Sequence, residues 1–428
     1  MQALSPMSLL ILIPSVHVIA EPDGALRADD KFLTGLQRHV ESWDGPVRVL
    51  LRTSQRPLPF SRIVARAEVP GELTLLAEHQ PVTAEDLAGA AVVLASGDDH
   101  DQTGLGPVCD AVGARLVYAI EYTLQTRLRT AALDPGRGTV ARAKSAAWVL
   151  MEERRRRRAF RHAAALQFNG YPAAHAYGPL DRKGCFYLDG RMRAATMASD
   201  AEMARRAEAM GDRAQTPGRP LRLITSGRLE PMKGAQDLIP AARAMRDAGV
   251  NFTLDIYGAG SLSYAIASGI AGAGLGDRVR LHAPVDFDSV LVPAMRRDAD
   301  VFLSCHRQGD PSCSYLEAMG CGLPVIGTAN EMWQPMAEDS GGGWVVPMGR
   351  PARIARLAAD LAADPRKVTQ AAGRALSFAR VHDFDREFAR RMDHLAEVAR
   401  RPPRGAGVSP ARATAARRAD DRAGSPRP

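Results

Sequence analysis

The segment SGRLEPMKG, residues 226–234, combines residue types that suit the binding of a diphosphate. It follows the apolar run LRLIT and precedes a helix-like stretch, so we expect a loop between a strand and a helix. Arg228 offers a planar fork of donors and Lys233 a compact positive charge, and both groups bind phosphate oxygens. The chain has only five lysines, which are Lys31, Lys144, Lys183, Lys233 and Lys367. By itself the segment is equally compatible with a solvated loop that carries two incidental charges.

A second segment, DIYGAGS, has Gly258 and Gly260 directly after another apolar run. Positions without side chains let a ligand approach the backbone closely. Glycine-rich turns after strands are also common structural punctuation, so this pattern is weak when it stands alone.

The third segment, HRQGDPSCSYLEAMGCGLPVIGT, residues 306–328, predicts a loop, a short helix and a strand. The residues at or near the start of that helix are Ser312, Cys313 and Ser314. Free N–H groups and the helix dipole favour a phosphate there. Glu317 lies among apolar neighbours, and buried carboxylates are rare unless they are paired, so we expect a sugar hydroxyl as its partner rather than an exposed position. His306 is the histidine nearest to this site, although a lone histidine is more often structural.

These segments need a scaffold that brings them to one edge, and the apolar runs predict one. In the first half the predicted strands are residues 9–15, 47–51, 91–96, 115–120 and 164–170. In the second half they are residues 221–226, 251–257, 278–283, 300–305 and 323–328. Helix-like stretches alternate with these runs, which predicts βα units around parallel sheets. Pro240 interrupts one helical pattern, so we expect a kink or a late helix start there.

Residues 221–330 resemble the donor-binding domain of glycosyltransferase family 4, whose members are retaining enzymes of the GT-B fold. The resemblance rests on SGRLEPMKG, YGAG and EAMGCGLPVIGT in that order, whereas the first half resembles the family only in its βα rhythm. It implies two Rossmann-like α/β domains that face each other across a cleft. The predicted units are an acceptor-side domain at 1–195, a linker at 196–219, a nucleotide-sugar-binding domain at 220–382, a helix at 383–400 that returns to the first domain, and a disordered tail at 401–428.

The resemblance also implies roles for individual residues. Arg228 and Lys233 would contact the diphosphate of the donor, and Glu317 would contact the ribose hydroxyls. The family has a pattern E-x7-E, but its first glutamate corresponds here to Gly309, and Asp310 is the neighbouring carboxylate that could replace it. The predicted catalytic residues are Arg228, Lys233 and Asp310. The predicted donor-binding residues are Gly227, Gly258, Gly260, His306, Gly309, Ser312, Cys313, Ser314 and Glu317.

The function implied by this resemblance is retaining transfer of a sugar from a nucleotide-diphosphate sugar. The acceptor would be a glycan, a lipid-linked intermediate or a glycolipid in the synthesis of a bacterial surface or exported polysaccharide. Positive side chains and a helix N-terminus suffice to stabilise the leaving diphosphate, so we expect no metal and no other cofactor. A nucleotide-sugar-binding GT-B protein without transfer activity is the alternative that Gly309 permits, and a GT-B-like epimerase is a more distant one.

Candidates on the acceptor side are harder to assign. Asp29, Asp30 and Lys31 follow the first predicted strand, and an ordinary polar loop is the alternative for all three. The five arginines of residues 154–158 cannot all point one way on a helix, so we expect most of them on a solvated face helped by Glu152 and Glu153. A patch that meets an anionic membrane surface is the alternative.

Charge and cysteine content limit the remaining classes. The formal charge is +8, but residues 401–428 hold seven arginines and two aspartates, which give +5 and leave +3 for the other 400 residues. That balance does not predict a nucleic-acid partner, and the tail composition predicts disorder. Five cysteines without CxxC spacing predict neither a disulfide framework nor a zinc site. The apolar run near residue 9 is too short to span a bilayer, so we expect a cytoplasmic protein or one peripheral to the inner face of the membrane.

Overall fold

The computed structural model describes residues 9–58, 61–133, 136, 138–215, 218–309, 311 and 313–401, without the side chains of 213–215. The predictions made for Asp310, for Ser312 and for the disordered tail beyond residue 401 lie outside these described residues.

The first half of the chain is built on a sheet of ten strands. The strands are β1 Leu9–Ile13, β2 His17–Ala20, β3 Leu26–Asp29, β4 Val47–Thr53, β5 Ser61–Val64, β6 Glu72–Leu76, β7 Ala90–Ser96, β8 Arg115–Ile120, β9 Ala165–Asn169 and β10 Cys185–Tyr187. Their order is β10-β9-β8-β7-β1-β4-β2-β3-β5, and β6 also pairs with β4. All pairs are parallel except β2 with β3 and β3 with β5. The associated helices are α1 Asp30–Ser42, α2 Leu105–Val112, α3 Leu124–Leu133, α4 Thr139–His162 and α5 Gly170–Tyr177.

The second half holds a six-stranded sheet. Its strands are β11 Leu221–Ser226, β12 Phe252–Tyr257, β13 Val279–His282, β14 Val301–Ser304, β15 Val325–Thr328 and β16 Gly343–Val346. The order is β13-β12-β11-β14-β15-β16, and every pair is parallel. The helices are α6 Asp200–Gln215, α7 Leu238–Asp247, α8 Ser263–Gly272, α9 Val292–Asp298, α10 Cys313–Gly320, α11 Trp333–Ser340, α12 Pro351–Ala363, α13 Pro365–Val381 and α14 Phe384–Arg400. The strand order reverses between β11 and β14, and such reversals open a crevice at the carboxyl ends of the strands.

The ten predicted apolar runs all contain strands, because strands covered on both faces read as continuous apolar sequence. The structure adds β2, β3, β5, β6, β10 and β16, which the sequence analysis missed. Most of these are short, and their partly exposed residues break the apolar run. The predicted late start of the helix around Pro240 is confirmed, because α7 begins at Leu238 and the proline lies in its first turn.

The segment predicted as a linker, 196–219, is mostly helical where the structure describes it. Its helix α6 packs against α13, and the buried Arg206 on α6 donates hydrogen bonds to backbone carbonyls of the second half, including Ala299 O at 2.9 Å. Polar composition predicted a linker because α6 buries few of its residues.

The last helix, α14, lies on the sheet of the first half. Phe388, Met392, Leu395 and Val398 form its buried stripe and pack in one cluster with residues of β1 and β7. Asp383 caps the helix by accepting a hydrogen bond from Arg386 N at 3.0 Å. Spacings of three and four place the apolar side chains on one face, and burial of that face fixes the helix to the sheet.

The arginine run on α4 has one member inside the protein. Arg156 is 1% exposed and donates to Asp98 at 2.7 Å and to Glu153 at 3.1 Å. Its other acceptors are Gly97 O, Tyr122 O and the hydroxyl of Tyr177. Arg154, Arg155 and Arg158 are exposed, so most of the run lies on a solvated face as expected, and Arg156 is the exception. Glu152 and Glu153 are buried and pair with arginines of the run, Glu152 with Arg155 at 2.7 Å and Glu153 with Arg156 at 3.1 Å and Arg157 at 2.7 Å.

Replacing Arg156 by alanine should lower the free energy of unfolding by about 3 to 5 kcal/mol, because buried carboxylates lose their cation. Arg158, an exposed member of the same run, is the matched control, and Arg158→Ala should change stability by less than about 0.5 kcal/mol. Urea unfolding followed by circular dichroism measures both. Equal unfolding midpoints for the two variants would contradict a structural role for Arg156.

Candidate functional site

The loop after β11 meets the loop after β14 at the reversal of strand order. Lys233 ends the short 3₁₀ turn Pro231–Lys233 and is half-buried, whereas Arg228 is exposed. The backbone N–H groups of Arg307 and Gln308 donate to Met232 O at 3.0 and 3.3 Å. The two loops therefore form one unit, in which Lys233 lies against the second loop.

Gly234 makes this contact possible. Its φ is +67°, and a Cβ placed on it would lie 1.7 Å from the carbonyl oxygen of Cys305. Any other residue would both strain the backbone and push the loops apart. The glycine that closes SGRLEPMKG thus has a structural role, while Lys233 beside it carries the charge.

The glycine-rich loop after β12 packs on the same unit. Leu229 N donates to Ala259 O at 2.9 Å, and a Cβ on Gly258 would lie 2.0 Å from Gly227 O. Glu230, which the sequence analysis did not single out, accepts a hydrogen bond from Ser261 N at 2.9 Å. A Cβ on Gly260 would lie 2.6 Å from Leu229 O, so these glycines allow loop-to-loop contact as well as an approach by a ligand.

His306 lies beneath the phosphate-binding candidates. It is 7% exposed, and its ring is tilted against Tyr315. Burial, and then the positive charge of Lys233, hold the pKa of His306 well below its usual value, so the imidazole is neutral. The residue therefore cannot add positive charge to a diphosphate site, and its carbonyl accepts a hydrogen bond from the Thr328 hydroxyl.

Glu317 on α10 is 3% exposed, as its apolar neighbours predicted, but its partner is an arginine. Arg191 Nε donates to Glu317 Oε1 at 2.7 Å, and the guanidinium lies 3.9 Å from the centre of the Phe287 ring. Burial opposes the charge of Arg191, but Glu317 outweighs that effect and raises the arginine pKa. The buried carboxylate was the only sequence signal for a cation here. The 126-residue separation concealed which cation it is.

Of the three acceptor-side candidates, Lys31 alone reaches the second half. Its ammonium donates to Asp189 at 2.7 Å and lies 3.5 Å from Cys313 Sγ at the start of α10. Loss of water around the ammonium lowers the pKa of Lys31, but the attraction of nearby groups, chiefly the Asp189 carboxylate, is larger in total, and the net effect is a raised pKa. Asp29 caps α1 by accepting from Phe32 N, which gives its carboxylate a structural role.

The remaining candidates on this side have other partners. Asp30 pairs with Arg62 at 2.8 Å and is exposed. Burial, followed by the charge of Asp189, raises the pKa of the Cys313 thiol to about 12, so this thiol is protonated at neutral pH. Ser314 is half-buried on the first turn of α10.

A cavity of about 980 Å³ lies between α3 and α5 of the first half and α11 of the second. Arg129 on α3 donates to Glu331 Oε2 at 2.8 Å across this boundary, and both residues line the cavity. Sequence analysis missed this pair, which joins residues 202 positions apart. The cavity adjoins the donor-loop candidates, because Arg129 also donates to Arg307 O at 3.3 Å.

All five cysteines have free thiols. Within the described ranges, no three His, Cys, Asp or Glu side chains form a group that could hold a metal ion. None of the described helices is both long and apolar enough to cross a membrane.

Residues 209–376 match the family model described as Glycosyl transferases group 1. The second half of the chain is therefore similar to that family over these residues. WcaL, a glycosyltransferase assigned to colanic acid biosynthesis in Escherichia coli K12, is 31% identical over 185 residues, which are 41% of this chain and 45% of WcaL. AmsK, an amylovoran biosynthesis glycosyltransferase of Erwinia amylovora, is 30% identical over 146 residues, which are 32% of this chain and 35% of AmsK. The chain thus matches less than half the length of these relatives.

Among solved structures, Anabaena Alr3699/HepE in complex with UDP is similar with a TM-score of 0.60 at 14% identity, over 91% of this chain and 100% of that chain. The fold is GT-B. This GT-B chain is also similar to the UDP-glucose complex of HepE, with a TM-score of 0.57 over 91% of this chain and 99% of that one. The predicted fold class, two Rossmann-like α/β domains, is confirmed.

Replacing Gly234 by alanine should weaken the nucleotide binding that the sequence predicts, because the new Cβ would force Lys233 and Cys305 apart. Gly249 is the matched control, since its φ is also positive at +71° but a Cβ placed there would meet no atom within 4 Å beyond the adjoining residues. Both variants should lose about 1 to 2 kcal/mol of stability from the backbone conformation. Melting temperatures and nucleotide titrations separate the effects. Equal nucleotide affinities in both variants would contradict the importance of the Gly234 contact.

Proposed function

We propose that this protein is a retaining glycosyltransferase that moves a sugar from a nucleotide-diphosphate sugar to an acceptor. The observation that carries the proposal is the junction of the loops after β11 and β14, where the half-buried Lys233 lies against residues 305–309. The glycosyl transferases group 1 domain at residues 209–376 and the UDP bound by HepE support a nucleotide-sugar donor.

The proposed chemistry follows from charge. The bond between the anomeric carbon and the diphosphate oxygen breaks, and a nucleoside diphosphate leaves while the sugar gains oxocarbenium character. Lys233 and Arg228 stabilise the growing negative charge on the leaving group, and the N-terminus of α10 adds its dipole. The acceptor hydroxyl attacks the face that the diphosphate leaves and gives its proton to the departing phosphate oxygen, so the anomeric configuration is retained. With two cations in these positions, the proposed reaction requires no metal.

The proposed acceptor is a glycan, a lipid-linked intermediate or a glycolipid of a surface or exported polysaccharide. The assignments of WcaL to colanic acid and of AmsK to amylovoran support this class. Lys31, beside Cys313 at the start of α10, is the proposed first-domain residue next to the reacting groups. A nucleotide-sugar-binding protein without transfer is the second candidate, favoured by the glycine at position 309, where the related family has a glutamate.

The exposed side of α4 supports a peripheral position on an anionic membrane. One stripe along this helix, at spacings of three and four, consists of Val140, Lys144, Trp148, Met151, Arg155 and Arg158. Val140 is 69% exposed, Trp148 42% and Met151 47%. Apolar and aromatic side chains enter the interface and basic ones attract acidic lipid, so the stripe suits the surface of a cytoplasmic membrane leaflet.

Replacing Lys233 by alanine should lower sugar transfer by about a hundredfold or more, because its contact strengthens as the leaving group gains charge. Arg228→Ala should behave similarly, and the double variant should lose less than the sum if both serve one diphosphate. Lys367→Ala, an exposed lysine on α13, is the control. Thermal shifts with UDP, UDP-glucose, GDP and GDP-mannose identify the nucleotide before transfer is assayed.

The results of that series separate the candidates. Binding without turnover across donors and acceptors would favour the second candidate. Binding and transfer by Lys233→Ala at the level of the parent would show that the diphosphate lies elsewhere. No stabilisation by any of the four nucleotides would contradict the proposed donor class.

Reversing two charges of the α4 stripe should weaken binding to phosphatidylserine-containing vesicles. Each basic residue near such a surface contributes about 1 kcal/mol, so the loss of two should lower partitioning by about 30-fold, and their reversal to glutamate in Lys144→Glu/Arg158→Glu by at least that much. The double variant Arg353→Glu/Arg356→Glu makes the same charge change on exposed positions of α12 and should retain binding. Vesicle co-sedimentation measures both. If both double variants lost vesicle binding equally, net charge alone would explain the binding, and the α4 stripe would have no specific role.

A further inference from the structure

Glu331 occupies the space beside Gly309. A Cβ placed on Gly309 would lie 2.1 Å from Glu331 Oε2 and 2.9 Å from Glu331 Cβ. No side chain fits at position 309 while Glu331 keeps this position. Position 309, in the loop after β14, therefore has no side chain, and the carboxylate of Glu331, from the loop after β15, fills the space beside it.

This carboxylate lies near the cation of the diphosphate site. The loop that contains Gly309 is joined to the turn of Lys233, because Arg307 N and Gln308 N donate to Met232 O. Glu331 contacts this loop at Gly309, the residue after Gln308. Only a short stretch of backbone therefore separates the Glu331 carboxylate from the turn that carries Lys233.

Arg129 fixes the direction of the carboxylate. Its guanidinium donates to Glu331 Oε2 at 2.8 Å and to Arg307 O at 3.3 Å. Among the residues that the structure describes, none donates a hydrogen bond to the other oxygen, Oε1. Glu331 is about a quarter exposed and lines the interdomain cavity, so this oxygen is available to a ligand there.

The charge of Glu331 decides which part of a donor it suits. A carboxylate repels a diphosphate, whereas it accepts hydrogen bonds from neutral hydroxyl groups. Within a nucleotide sugar, the hydroxyl-bearing group attached to the distal phosphate is the sugar. Arg129 lowers the net charge of the pair, which reduces repulsion of the nearby diphosphate.

We propose that Glu331, oriented by Arg129, binds hydroxyl groups of the donor sugar. This inference rests on the proposed function, because it requires the diphosphate to bind at Lys233. Glu331 then supplies, from the loop after β15, a carboxylate that position 309 does not carry. Arg129 is a positioning residue that acts through Glu331.

The test compares binding of UDP with UDP-glucose, or of GDP with GDP-mannose if guanine nucleotides stabilise the parent protein. Glu331→Gln should weaken binding of the sugar nucleotide by about tenfold or more, the effect of one charge-assisted hydrogen bond. Its affinity for the nucleoside diphosphate should stay within about twofold of the parent. Isothermal titration calorimetry gives both constants for one protein preparation.

Glu338→Gln is the matched control. Glu338 lines the same cavity and is exposed on α11, whereas the atoms nearest to a Cβ on Gly309 all belong to Glu331. This variant should bind both ligands as the parent does. Arg129→Met should show a smaller loss with the same preference for the sugar nucleotide, since Glu331 keeps its charge but loses its orientation. Melting temperatures of all variants verify that they are folded.

The outcomes separate this inference from the proposed function. If UDP, GDP and their sugar derivatives all fail to bind the parent, the donor site at Lys233 is wrong and the role of Glu331 falls with it. If the parent binds them and Glu331→Gln weakens both ligands equally or neither, only the sugar contact is wrong. A selective loss in Glu338→Gln would assign the contact to that residue instead.

Discussion

The close contact between Gly234 and the carbonyl oxygen of Cys305 sets the geometry of the candidate site. Strands β11 and β14 are neighbours, but the chain leaves their carboxyl ends in opposite directions, so their loops meet only if one offers bare backbone. The positive φ of Gly234 provides that surface and turns the chain towards α7. Lys233 consequently lies beside residues 305–309, and the glycine loop after β12 stacks on the same unit.

Charge in the cleft is balanced between the two domains. Glu317 pairs with Arg191 and Glu331 with Arg129, and in each pair the arginine comes from outside the six-stranded sheet. A buried carboxylate without a cation is strongly unfavourable, so the buried Glu317 depends on an arginine supplied from outside the second domain. His306 remains neutral beneath Lys233 and adds no repulsion to the cation. The cleft therefore combines a positive loop with carboxylates that are already neutralised in pairs.

The connection between domains rests on apolar packing more than on these ion pairs. The stripe of α14 buries Phe388, Met392 and Leu395 against the first sheet, and burial of such side chains contributes about 1.5 to 3 kcal/mol each. Partly exposed pairs such as Arg129 with Glu331 contribute less, because water screens them. The long helix fixes the second domain to the first, while the polar bridges can exchange their partners for a ligand.

The sequence by itself determined the βα order, the ten apolar strands and the three glycine- and charge-bearing loops, because strand burial and loop chemistry are local along the chain. It predicted that Glu317 is buried and that Lys233 follows a strand. Only the tertiary structure decided that Arg191 pairs with Glu317, that Arg156 is internal while Arg158 is exposed, and that Glu331 lies against Gly309. These outcomes join residues as many as 202 positions apart, and side chains so distant meet only when the sheets and helices have packed. The local sequence indicates that a buried charged residue requires a partner, but only the tertiary packing determines which residue is that partner.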